Sequence, residues 1–183
     1  MKCLSPDKER NYPNLRAHGY TVTSETTENK WIKYNCVALA ADGDQTTWWE
    51  PSTVNSKPVK RPGRYWPDGI DTDGSIESYI KLYELLGYEK CDSGGVNLLY
   101  EKIAIYGYPE EAFSHVCYQL YFGWISKLGD LEDIRHNTLE ALECDNYGHV
   151  KVFMRRRCSL RGYFSRALFN LTARFWPIDR KIS

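Results

Sequence analysis

The sequence predicts an α+β fold, and three observations predict it. Between Ser75 and Leu86, the apolar residues Ile76, Tyr79, Ile80, Leu82, Tyr83, Leu85 and Leu86 recur at near-helical spacing. Three strand-like runs then follow one another, from Glu101 to Tyr106, Ser114 to Leu120 and Trp124 to Gly129. A last strand is expected over Tyr147 to Met154. Helices first and an antiparallel meander afterwards is the α+β order. With 183 residues and 42% apolar side chains, the chain suffices for one domain with a substantial core.

Taken in order, residues 1 to about 28 are polar, carry Pro6 and Pro13, and read as an arm on the surface. Cys36 to Ala41 is a short apolar helix, ended where Asp42-Gly43 supplies a left-handed cap. Residues 44 to 74 hold Pro51, Pro58, Pro62 and Pro67 and read as a long irregular loop. Its aromatic positions Trp48, Trp49, Tyr65 and Trp66 are equally suited to lining a substrate cleft and to covering a core edge. Asp73 or Ser75 caps the next helix and Gly87 ends it. Leu131, Ile134, Leu139 and Leu142 return to helical spacing, so a helix is expected over Asp130 to Leu142. Ser159 to Trp176 forms an expected basic amphipathic helix stopped by Pro177. The organisation is therefore an α+β domain over 1-154 and a basic C-terminal segment over 155-183, expected to dock on that domain.

A formal net charge of zero hides an asymmetry. From Lys151 to Ser183 there are nine Lys or Arg against Asp179 alone, which leaves the rest of the chain acidic. Such a distribution lets the basic segment fold back on the body or engage an acidic partner, a nucleic acid or an anionic membrane. Nucleic acid is the less favoured of those partners. No run approaches the roughly 20 apolar residues that span a bilayer, and the N-terminus lacks a signal-peptide pattern, so a cytoplasmic protein is expected. The six cysteines stand apart without a Cys-x-x-Cys pair, so neither a metal site nor a disulfide scaffold is expected. No glycine-rich phosphate loop or dinucleotide fingerprint is present, and no cofactor is expected.

The chemistry concentrates on Tyr34-Asn35-Cys36-Val37. A cysteine at the start of a helix faces unpaired N–H groups and the positive dipole end, which favour its thiolate. A thiol nucleophile needs a base, and His115 opens an apolar strand that can face such a helix. If the runs ending near Gln119 and starting near Trp124 pair through a two- or four-residue loop, Ser126 shares the face of His115. Asp130 comes within reach if the strand continues, and a three-residue loop brings Lys127 round instead. Asn35 is suited either to oxyanion stabilisation or to an N-cap. His136 and His149 are expected on solvent or packing faces, with a catalytic role for His136 as the lesser alternative.

Tyr34-Asn35-Cys36-Val37-Ala38, Ser114-His115-Val116 and Trp124-Ile125-Ser126-Lys127-Leu128-Gly129 with His136 after it together resemble a group of bacterial and phage proteins that look like papain-fold cysteine hydrolases. The resemblance runs from about Asn29 to Val152 and takes in Trp48-Trp49 and Tyr65-Trp66-Pro67. It implies a papain-like fold, with Cys36 as nucleophile and His115 as base acting on a peptide, isopeptide or other amide bond. The competing expectation is a non-enzymatic interaction protein that binds a host macromolecule through the aromatic loop and the basic segment.

Overall fold

The computed structural model describes residues 2–24, 34–42, 47–51, 53–54, 57–58 and 63–158. The chain begins with helices α1 (Pro6–Glu9) and α2 (Leu15–His18), strand β1 (Tyr20–Val22) and helix α3 (Cys36–Asp42). Short strands β2 (Trp48–Trp49), β3 (Thr53–Val54), β4 (Lys57–Pro58) and β5 (Arg64–Tyr65) precede helix α4 (Ile76–Leu85). Then come β6 (Glu89–Cys91), β7 (Tyr100–Gly107), β8 (Phe113–Gln119), β9 (Trp124–Lys127), β10 (Asp133–His136), a 3-10 turn at Leu139–Leu142, and β11 (His149–Arg157).

The architecture is α+β, built on a seven-stranded sheet in the order β1-β10-β9-β8-β7-β11-β6. Every pairing in it is antiparallel. Helix α4 forms where expected: the Ser75 hydroxyl accepts from the Ser78 N–H at 3.2 Å, and Gly87 follows the helix at a φ of 82°. Period-two alternation then sorts the strands into two faces. Ile103, Ile105, Val116 and Met154 pack against α3 and α4, whereas Ala104, Tyr106, Cys117 and Ile134 pack under the N-terminal segment around α1 and α2, with Leu4, Tyr12 and Leu15.

Three expectations are corrected. The N-terminal segment is no surface arm: Leu4, Leu15 and Tyr20 are buried, and β1 is the strand next to β10. The expected helix over Asp130 to Leu142 is instead β10 followed by the 3-10 turn. Helix propensities differ by under about 0.7 kcal/mol per ordinary residue. Fully burying a side chain such as Ile134 or Leu142 is worth roughly 1.5–3 kcal/mol, so sheet pairing between β1 and β9 wins. The boundary at residue 154 also falls inside β11, which runs on to Arg157. There Arg155 meets Glu89 at 2.9 Å and Arg156 meets Glu101 at 2.8 Å, so part of the basic run is paired with acids of the neighbouring strands. The expected C-terminal helix lies outside the described residues. No helix among those described is long and apolar enough to cross a membrane.

Candidate active site

Helix α3 starts at Cys36 because Asn35 caps it. The Asn35 Oδ1 accepts from the Ala38 N–H at 3.1 Å and from the Trp49 N–H at 3.2 Å, and its Nδ2 donates to the Trp49 carbonyl at 2.7 Å. Of the two roles open to Asn35, the N-cap is the one formed, and its amide protons are committed to Trp49 rather than to a cleft. The same bonds bring β2 to the end of α3. Trp49 and Trp66 pack on the core, with Trp66 edge-on to Tyr79 at 5.1 Å. Tyr65 is exposed and tilts on Trp49 at 4.7 Å, while Arg64 lies over the Trp48 ring at 5.2 Å.

Strands β8 and β9 pair only at Tyr118↔Ile125 and Gln119↔Trp124, and α3 packs on both. Cys36 is buried there beside Val116, the residue after His115. Burial raises its thiol to about 11. The N–H groups of Val116, Val37 and Cys36 itself, with the charge of Lys127, oppose that rise by favouring the thiolate.

His115 follows a register shift between β7 and β8, where Tyr106 faces His115 but Gly107 faces Phe113. Ser114 is the extra residue, and its hydroxyl donates to the Tyr147 carbonyl at 2.5 Å. Bulges of this kind re-aim the side chain beside them. The His115 ring stacks on Tyr147 at 4.2 Å and meets Tyr106 edge-on at 5.6 Å. Its Nε2 lies 3.1 Å from Ser126 Oγ, which in turn lies 2.9 Å from His136 Nε2, and His136 Nδ1 lies 2.7 Å from the Thr138 carbonyl. His115 Nδ1 is buried with no hydrogen-bond partner. Burial pushes His115 down to about 3, with His136 adding to the effect. Burial likewise pushes His136 down to about 4, against the Thr138 bond.

The four-residue loop between Gln119 and Trp124 brings Ser126 to His115, as the register argument requires. Asp130 does not join them: β9 ends at Lys127, and Asp130 is exposed in the turn beyond. Lys127 is buried on the other face, where its ammonium sits 3.7 Å from Asp133 Oδ1 and 5.0 Å from the Tyr34 ring centroid. The Tyr34 hydroxyl donates to Asp133 Oδ2 at 2.6 Å. No sulfur–imidazole hydrogen bond forms between Cys36 and His115, because Nε2 is held by Ser126 and Nδ1 has no partner. His136, expected on a solvent or packing face with a catalytic role only as the lesser alternative, is buried and joined to His115 through Ser126, a link that sequence reasoning did not place. The signal for it was the strand-like Asp133-Ile134-Arg135-His136, masked by the helical spacing of the leucines around it.

The Cys36 thiol thus lies at a capped helix start on the α3 face of the sheet, and the buried His115 ring lies on the other face with Tyr106 and Tyr147. Residues 21–155 match the family described as a domain of unknown function (DUF7689). That span is more than half of the chain, and the chain belongs to this family. Compared with curated proteins and with solved structures, it matches none.

Proposed function

We propose that this protein is a thiol-dependent hydrolase that cleaves an amide, peptide or isopeptide bond through Cys36 and His115. The observation that carries the reading is the environment of the Cys36 sulfur. Burial holds the thiol up at about 11, and three backbone N–H groups with the Lys127 charge pull against that rise; one of those N–H groups belongs to the residue next to His115. Catalytic hydrogen bonds are commonly long or unformed before substrate binds. The resting pair here is a neutral thiol and a neutral imidazole.

Cys36 and the His115 ring start on opposite faces of β8, so the proposed reaction requires them to come together at the bulge beside Val116; the thiol proton then passes to His115 Nδ1 as the sulfur attacks the carbonyl carbon. The N–H groups of Cys36, Val37 and Val116 are the donors suited to the developing oxyanion. His115 then returns the proton to the leaving amine as the C–N bond breaks. Water, deprotonated by the same nitrogen, releases the acid and restores the thiol. With an amine in place of water, the same steps give acyl transfer.

The test is iodoacetamide labelling of Cys36, followed by mass spectrometry, in the wild type and in His115→Ala. The reading requires His115→Ala to slow labelling about tenfold or more in the native protein, with equal rates in denatured protein. Equal native rates would overturn it. A second reading, an interaction module, is favoured by the absence of a formed sulfur–imidazole bond and by the exposed Tyr65 beside Arg64 and Trp48. It predicts those equal rates, and its own check is partner capture that Tyr65→Ala weakens.

A further inference from the structure

We propose that His136 is a positioning residue that acts through Ser126 to hold His115 in the single tautomer whose Nδ1 is a bare lone pair. Its use for catalysis rests on the reading of His115 as the base; the tautomer itself does not.

The Thr138 carbonyl at the far end of the chain can only accept, so His136 carries its proton on Nδ1. His136 is fully buried, which favours the neutral ring and leaves Nε2 as an acceptor. The Ser126 hydroxyl has one proton and gives it to that nitrogen at 2.9 Å. Its oxygen is then the acceptor for His115, 3.1 Å away, so the His115 proton sits on Nε2. A neutral ring has one N–H, and Nδ1 is therefore bare. It is also the His115 nitrogen without a partner. The opposite direction of donation would set the His136 Nδ1 lone pair against the lone pairs of the Thr138 carbonyl at 2.7 Å, and would bury an unpaired N–H on His115. The chain thus has one low-energy proton order.

The anchor is held by the sheet. His136 pairs with Tyr20 of β1 on one side and with Trp124 of β9 on the other. The Asn137 N–H donates to the Gly19 carbonyl at 3.1 Å, and the Thr138 hydroxyl lies 3.0 Å from His18 Nδ1. Gly123 closes the cage from the hairpin: a Cβ there would stand 2.5 Å from the His136 carbonyl. Such outer partners fix the orientation and protonation of a functional imidazole without touching substrate.

The experiment is two-bond proton–nitrogen correlation NMR of the histidine rings in nitrogen-15-labelled protein at neutral pH, without substrate. His115 is expected to show a protonated Nε2 and a bare Nδ1, and His136 the reverse. In Ser126→Ala and in His136→Leu, His115 should change to a mixture of tautomers. A wild-type His115 protonated on Nδ1 would overturn the proposal, as would an unchanged single tautomer in both variants. The wild-type spectrum decides by itself if neither variant folds. Cys36 labelling in folded His136→Leu is expected to slow about tenfold. The expected tautomers together with labelling indifferent to His115→Ala would sink the hydrolase reading alone.

Discussion

Strands β9 and β10 carry two buried polar groups on opposite faces of one sheet, and the two are stabilised in different ways. On the face under α1 and α2, Ser126 and His136 join His115 in a chain of neutral hydrogen bonds. On the face toward α3, the alternate residues Lys127 and Asp133 form an ion pair that Tyr34 completes. The register Asp133↔Lys127 and Ile134↔Ser126 places these groups back to back across two strands. A neutral chain is sensitive to where single protons sit, whereas an ion pair is sensitive to the loss of either charge. The comparison separates residues that order protons from residues that hold a buried pair of charges.

The largest effect is expected on the ionic face. Lys127→Met leaves the Asp133 carboxylate buried without its cation and should destabilise the fold by roughly 3–5 kcal/mol, measured by urea unfolding. The double variant Lys127→Met with Asp133→Leu should recover most of that loss; additive losses would show that the pair is not coupled.

On the neutral face the sensitive variable is pH. In the folded protein burial holds His115 down to about 3 and His136 to about 4, below the ordinary histidine value of about 6.5. As pH falls below that value, the unfolded chain takes up protons that the folded chain refuses. The stability contributed by these rings is complete above about pH 6.5 and is lost progressively toward pH 4 and below. The loss at pH 5 is about 2 kcal/mol per histidine. A urea midpoint that holds steady from pH 7 to 5 would contradict the neutral chain.

Smaller effects probe the supports. Gly123→Ala forces a side chain onto a φ of 94° and into the His136 carbonyl, and should destabilise by about 2 kcal/mol while perturbing the His136 NMR signals. Asn35→Ala removes the cap and the bond to the Trp49 carbonyl, and should lower stability by about 1 kcal/mol. A melting temperature unchanged in Asn35→Ala would mean that Trp49 alone sets the start of α3.

Features encoded over a short stretch were legible. Ser75 and Gly87 bracket α4 in sequence and in space, and the alternation in β7 to β9 predicts the meander and the meeting of His115 with Ser126. What sequence reading missed depends on residues far apart in the chain. Val22 pairs with Ile134 and Tyr20 with His136, so neither β1 nor β10 has a local signal that outweighs the leucine spacing around it. Asn35 could be read as a cap or as an oxyanion donor until Trp49 was seen to occupy its amide. The candidate site was half legible for the same reason: Cys36 and His115 announce themselves by residue type and neighbours, whereas His136 matters only through a hydrogen bond that the β9–β10 pairing creates.

Among the described residues, the sheet ends on both sides in strands of three residues, Tyr20–Val22 and Glu89–Cys91. A border this short gives another chain's backbone few free amides and carbonyls to zip onto, and Glu89 and Lys90 add charge to one of the two borders. Growth into ribbons through either of these two borders is therefore disfavoured.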